Sequence, residues 1–206
     1  MLKKDLELVI ATHNIAKINE YKSLFYNTPV ILKTAIELGV SEPEENGKTF
    51  AENAYIKAEN AANKTGILSL GEDSGLTIKA LNGFPGVITG RWAKDIGGYK
   101  KAFKELAKKL DGLSKNASFQ CTIVLICPKQ GQIHEFSESV DGILDFSFIN
   151  GEGFGYDPVF VPEGYNKTFA QLTMTTKNQI SHRGKCCRKL LQFLTSLNKT
   201  KTRSVE

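Results

Sequence analysis

A chain of 206 residues, 41% of them hydrophobic, has the size and composition of one large folded domain, or of one domain in two lobes, and argues against long disorder. No stretch approaches the ~18 unbroken apolar residues of a membrane helix, and Met1-Leu2-Lys3-Lys4-Asp5 lacks the apolar core of a signal peptide, so the expectation is cytoplasmic residence with no membrane partner. The net charge of +5 is uneven: residues 177–206 hold eight basic residues and one acid, leaving residues 1–176 at −2, so phosphate-bearing partners are expected at the basic end.

Residues 7–12 read as a buried strand and residues 15–26 as a helix with Ile18, Tyr21 and Phe25 on one face, so a strand, tight turn and helix open the protein. A second strand is expected at 30–35, then an exposed acidic loop at 42–48. Thr49-Phe50-Ala51-Glu52 is a capping-box pattern that starts a helix over 50–64, rich in alanine and suited to close packing. Strands at 67–71 and 76–81 flank Glu72-Asp73-Ser74-Gly75, which places that acidic tetrapeptide at a strand end or bulge. An amphipathic helix follows at 97–110, then strands at 119–127 and 133–136 joined by a turn at 128–131. Residues 151–155 form a glycine-rich loop and 185–197 a final helix, leaving 198–206 as a basic tail. Cys121, Cys127 and the adjacent Cys186-Cys187 lack metal-ligand spacing and read as core thiols in a reducing compartment. The pattern implies an α/β protein with a mixed, elongated sheet and helices on both faces.

Several groups along this chain can carry chemistry. Thr12-His13-Asn14-Ile15-Ala16-Lys17 joins the first strand to the first helix, so its hydroxyl, amide and ammonium groups stand beside backbone N–H groups in a geometry that suits a phosphate; Asn14 also fits a simple helix N-cap. It is not a P-loop, because no G-x-x-x-x-G-K-[ST] occurs. Glu44-Glu45 precedes the capped helix, on which Asn53 and Lys57 stand at i and i+4 and face the same way. Glu72 and Asp73 at a strand end must face water or meet a cation, and magnesium (Mg2+) favours one or two carboxylates completed by substrate phosphate and water. Phe154 and Tyr156 between glycines offer rings for a flat purine base or anchors for the loop. Lys177, His182 and Arg183 add donors, which favour a 6-oxo purine over the 6-amino group of adenine.

In this order the motifs resemble the inosine triphosphate pyrophosphatase family of house-cleaning nucleotide hydrolases. The resemblance spans residues 9–194 and rests on Thr12-x-Asn14-x-x-Lys17-x-x-Glu20, Gly47-x-Thr49-Phe50-x-Glu52-Asn53-Ala54-x-x-Lys57-Ala58, Asp73-Ser74-Gly75-Leu76, Gly83-x-Pro85-Gly86, Gly153-Phe154-Gly155-Tyr156-Asp157-Pro158 and Ser181-His182-Arg183. It implies a single domain over residues 1–197, in two lobes around a central nucleotide-binding cleft, and a homodimer. It also implies that Thr12, His13, Asn14, Ile15, Ala16, Lys17 and Lys57 hold the triphosphate. Glu45 and Asp73 then organise magnesium, Asp73 serves catalysis and Ser74 contacts substrate. Phe154 stacks on the base, enclosed by Gly155, Tyr156, Asp157, Lys177, His182 and Arg183. The chain departs from the family's usual pattern at His13, Glu72, Thr176 and Cys186.

The activity so implied is hydrolysis of inosine, deoxyinosine and xanthosine triphosphates (ITP, dITP and XTP) to the monophosphate and pyrophosphate. Two other readings are a pyrophosphatase of broader specificity and a non-catalytic nucleotide- or RNA-binding module. Glu44, Glu45, Glu72 and Asp73 oppose the last, since they would repel a phosphate backbone, so no stable nucleic-acid partner is expected.

Overall fold

The computed structural model describes residues 6–202, and their side chains as far as residue 196. It is a mixed α/β fold with one six-stranded sheet in the order β2-β1-β3-β4-β5-β6, whose strands are given below. The chain divides into two compact units, one of residues 1–73, 122–137 and 183–206, the other of residues 74–121 and 138–182. It passes from one to the other four times, of which the crossings between Asp73 and Ser74 and between His182 and Arg183 fall inside two of the motifs singled out above.

In the first unit, β1 (Leu6–Ile10) runs parallel to β2 (Val30–Thr34), with Leu6 opposite Val30 and Ile10 opposite Thr34. Between them lies α1 (Ile15–Leu24), capped by Asn14, which buries Ile18 and Tyr21. The second helix, α2 (Phe50–Thr65), opens on the expected capping box of Thr49 and Glu52 and closes on Gly66 at φ 67°. Its alanines do what their size allows. Ala54, Ala58 and Ala62 pack with Val124 and Ile126, while Ala61 joins Val9, Ala11, Ala35 and Val40. The start of β3 (Ser69–Ile78) pairs in parallel with β1, Val9 opposite Ser69.

The second unit takes the rest of β3, then α3 (Thr89–Asp95) and α4 (Tyr99–Lys109). Ala102, Phe103 and Leu106 of α4 supply the apolar stripe that the 3.6-residue period requires, packing into a core with Leu76, Ile78, Phe119 and Phe160. β4 (Asn116–Cys127) and β5 (Gln132–Leu144) each extend through both units, and β6 (Phe160–Pro162) pairs antiparallel with β5. Two helices complete the chain, α5 (Met174–Ile180) and α6 (His182–Thr202).

Four expectations change. The two strands foreseen at 67–71 and 76–81 are one continuous β3, because Glu72 and Asp73 are buried among cations and need no exposed bulge. β5 runs on to Leu144 rather than stopping at residue 136. α3 and α5, seven residues each, escaped the periodicity because they span barely two turns. The last helix begins at His182, immediately after the extended Ser181 that caps α5, and continues to Thr202, so residues 198–202 of the expected tail are helical; residues 203–206 lie outside the described residues.

Candidate active site

Successive side chains of a strand point to opposite faces, and β3 uses this to send its two acids into different surroundings. Gly71 and Asp73 share the face that α2 covers. A Cβ on Gly71 would lie 1.9 Å from the Ala54 carbonyl oxygen and 2.6 Å from the Ala58 nitrogen, so only glycine lets helix backbone and strand approach this closely. That contact brings two α2 side chains onto Asp73. The Asn53 amide donates to Asp73 Oδ2 at 3.1 Å, and Lys57 Nζ lies 3.5 Å from Asp73 Oδ1. Lys57 also holds Glu45 Oε1 at 2.7 Å, which draws the preceding acidic loop to the same point. Asp73, Asn53 and Lys57 are all buried. Burial pushes the Asp73 carboxyl above the ordinary aspartate range, against the pull of Lys57 and Lys17; Glu45 adds to the rise and the Asn53 hydrogen bond opposes it.

Glu72, 1% exposed, faces the other way. It accepts from Arg183 twice, Nε to Oε2 at 2.8 Å and Nη2 to Oε1 at 3.0 Å, and pairs with Lys17 Nζ at 3.1 Å. Arg183 Nη1 donates in turn to Glu20 of α1. Two carboxylates thus meet two cations in a dry site where each charge has a partner. Burial works to lower the Lys17 pKa most strongly, yet Glu72 and Asp73 hold it above the usual lysine value despite Arg183, so Lys17 stays an ammonium.

The turn at 12–17 is built as a helix cap. Asn14 Oδ1 accepts from the backbone N–H groups of Ala16 at 3.0 Å and Lys17 at 3.3 Å, and the Asn14 N–H donates to Thr12 Oγ1. His13 Nε2 lies 2.9 Å from the Val40 carbonyl oxygen. Ile15 is 61% exposed at the open end of α1.

The remaining candidates sit in the second unit. Tyr156 is buried, its ring edge-on to Tyr99 at 5.3 Å and tilted against Phe103 at 5.6 Å, which makes it the loop's anchor. Burial and then Tyr99 push its phenol pKa up. Phe154 remains half-buried, and Gly155 holds φ 59°, a value that favours glycine. Asp157 accepts from Lys177 Nζ at 2.5 Å, an ion pair buried on both sides. His182 stacks on Phe119 at 4.8 Å with planes 12° apart. Ser74 is half-buried on β3.

The first unit therefore gathers Lys17, Lys57, Glu45, Asp73 and Arg183, and the second gathers Phe154, Gly155, Tyr156, Asp157, Lys177, His182 and Ser74. Compared with known proteins, a family model for the Ham1 family matches residues 8–193. The chain belongs to the Ham1 family. A dITP/XTP pyrophosphatase from Ruegeria pomeroyi is 41% identical over 191 residues, covering 90% of this chain and 93% of its own. Another from Bartonella henselae is 40% identical over 203 residues, with the same two coverages. A solved Ham1 protein from Coxiella burnetii, 35% identical, matches with a TM-score of 0.83 over 93% of this chain and 99% of its own.

Within this Ham1 chain, the guanidinium of Arg183, expected among the base-reading donors, is engaged by Glu72 and Glu20 in the first unit. Glu20 belonged to a motif but to no expected site, and Asn53 was expected only to face the same way as Lys57; both are buried, at 5% and 0% exposure. The i, i+4 spacing of Asn53 with Lys57 was the one signal that could have found Asn53 from sequence.

No group of three or more His, Cys, Asp or Glu that could hold a metal occurs among the described residues. An all-protein cage of the zinc type is therefore not what Glu45 and Asp73 provide. Two hard carboxylates that share one lysine fit magnesium, which takes one or two protein oxygens and leaves the rest of its octahedron to phosphate and water. No described helix is long and apolar enough to cross a membrane.

Proposed function

We propose that this chain hydrolyses the non-standard purine nucleotides ITP, dITP and XTP to the nucleoside monophosphate and pyrophosphate, removing them from the nucleotide pool. The observation that carries this reading is the convergence of buried Lys57 and Asn53 and half-buried Glu45 on Asp73, with the charge of Lys17 acting on the same carboxylate. Relatives that cover nine-tenths of the chain and bear the name dITP/XTP pyrophosphatase support the substrate class.

In the proposed reaction, water attacks the α phosphorus in line. The new bond joins the water oxygen to that phosphorus, the bond to the bridging oxygen of the β phosphate breaks, and pyrophosphate leaves. Asp73 Oδ1 accepts the water's proton, a task helped by the upward push of burial on its pKa. Lys17 and Lys57 neutralise phosphate charge in a site that water does not screen. Magnesium, held by Glu45 and Asp73, supplies Lewis-acid neutralisation of phosphate oxygens when bound.

Base choice falls to Phe154 by stacking and to Lys177, His182 and the backbone around Asp157 by hydrogen bonding. Donors aimed at a 6-oxo group leave adenine's amino group facing a donor, at a cost of about 1–3 kcal/mol in a dry site. Arg183 acts by holding Glu72 rather than by touching base.

A panel of nucleoside triphosphates with magnesium, scored separately for pyrophosphate and orthophosphate, tests the reading. ITP is expected to yield monophosphate and pyrophosphate. Stepwise release of orthophosphate with a diphosphate accumulating refutes the cleavage position, and equal turnover of ATP and GTP assigns a broader specificity. The same proposal takes the enzyme as a cytoplasmic homodimer, which sedimentation of the purified chain checks.

A further inference from the structure

We propose that Asn53 is a positioning residue whose side-chain amide ties the loop bearing Glu45 to the carboxylate of Asp73. The inference rests on the pyrophosphatase reading above and adds to it the group that fixes its two acidic residues relative to each other.

Asn53 is fully buried on the face of α2 that meets β3. Its two polar ends have different partners. Oδ1 accepts from the backbone N–H of Gly47 at 2.8 Å, and Nδ2 donates to Asp73 Oδ2 at 3.1 Å. The partners themselves dictate this orientation. A backbone N–H can only donate and an ionised carboxylate can only accept, so the amide has one way to lie. Aspartate has the acceptor without the donor, leucine has neither, and glutamine is a methylene too long for a gap already closed on both sides.

The loop is shaped to the same contact. A Cβ on Gly47 would lie 2.6 Å from Asn53 Oδ1 and 2.7 Å from the Glu52 Cβ, so a glycine at 47 is what lets the backbone reach the amide. Two residues earlier the loop carries Glu45, whose Oε1 meets Lys57 Nζ one turn further along α2. Asn53 and Lys57 divide the work at Asp73: Asn53 occupies Oδ2, and Lys57 stands by Oδ1. With Oδ2 held, the carboxylate cannot rotate, and Oδ1 keeps one direction toward the reacting water. Lys57 supplies charge to both acids, whereas Asn53 supplies direction and carries none.

The test uses two variants of the full chain beside the wild type. Hydrogen exchange of the Gly47 amide is followed by NMR, and kcat and KM for ITP are measured per folded molecule, well below each variant's Tm. Asn53→Leu removes both contacts. Its Gly47 amide is expected to exchange at least about ten-fold faster, and its kcat to fall by ~100-fold, the effect of a reacting group misplaced by about an ångström, with KM nearly unchanged. Asn53→Asp keeps the acceptor toward Gly47 and sets a second carboxylate, in place of the donor, against Asp73, so Gly47 is expected to stay protected while kcat falls at least as far as in the leucine variant. A kcat loss with KM nearly unchanged in Asn53→Leu is one that a merely structural residue would not produce. Unchanged Gly47 exchange in Asn53→Leu, or unchanged kcat per folded molecule in Asn53→Asp, overturns the proposal. If Asn53→Leu does not fold, the aspartate variant alone decides it. Wild-type protein that releases pyrophosphate from no nucleoside triphosphate sinks the proposed function instead, and the Gly47 exchange comparison still decides whether the tie exists.

Discussion

Replacing Asp73 by asparagine is expected to cut turnover steeply and to raise stability. Asp73 is 6% exposed, and burial outweighs Lys57, Lys17 and Asn53 in setting its pKa above the ordinary value. The fold therefore holds the ionised carboxylate at a disadvantage relative to the unfolded chain. An amide removes that disadvantage: its oxygen still accepts from Asn53 Nδ2, and Lys57, which its NH2 faces in place of Oδ1, retains Glu45 at 2.7 Å. For a chain of this length about 1 kcal/mol moves Tm by ~2–4 °C, so the rise is one of degrees. The sign with pH follows from linkage. A carboxyl whose folded pKa is raised contributes stability that is fully present below the unfolded value, near ~4, and is lost as pH rises through the folded value. The variant's advantage should thus be small near pH ~4 and grow toward neutrality. Turnover should fall by ~10²–10⁴-fold, the range for loss of a positioned general base, or about 3–5 kcal/mol of barrier. Scanning calorimetry of both proteins from pH 4 to 8, with pyrophosphate release from ITP, measures both halves. An advantage widest at low pH would falsify the electrostatic account, and near-normal turnover would move the essential carboxylate to Glu45 or Glu72.

Arg183→Ala leaves Glu72 and Glu20 buried without the guanidinium that joins them, and chemical denaturation should show a loss of about 3–5 kcal/mol. Its surviving kcat/KM should fall by similar factors for ITP, GTP and ATP; a selective loss for ITP would return the arginine to reading the base. Gly71→Ala forces α2 away from β3, for which we expect a stability cost of ~1–3 kcal/mol and a kcat effect larger than that on KM, because the displaced residues are Asn53 and Lys57. Phe154→Ala should weaken inosine and adenosine substrates alike, by the ~1–3 kcal/mol that stacking contributes; a loss confined to one base would show that the ring discriminates between them.

Local chemistry in the sequence was enough to determine much of this protein. Thr49 and Glu52 start α2, Asn14 caps α1, and Phe103 and Leu106 face α4 inward, because caps and periodicities act within a turn or two of chain. The same holds for the motifs that carry the family resemblance, since each is a short run whose residue order is its signal. Tertiary structure alone decided how the charges share their work. Arg183 bonds Glu72 across 111 positions and Glu20 across 163, and no spacing in the sequence marks those partners. An acid pair read locally belongs at an exposed bulge. Only when α1, α2 and α6 bring Lys17, Lys57 and Arg183 to β3 can Glu72 and Asp73 sit inside a buried strand, because the desolvation of each carboxylate is then offset by a cation from a distant part of the chain.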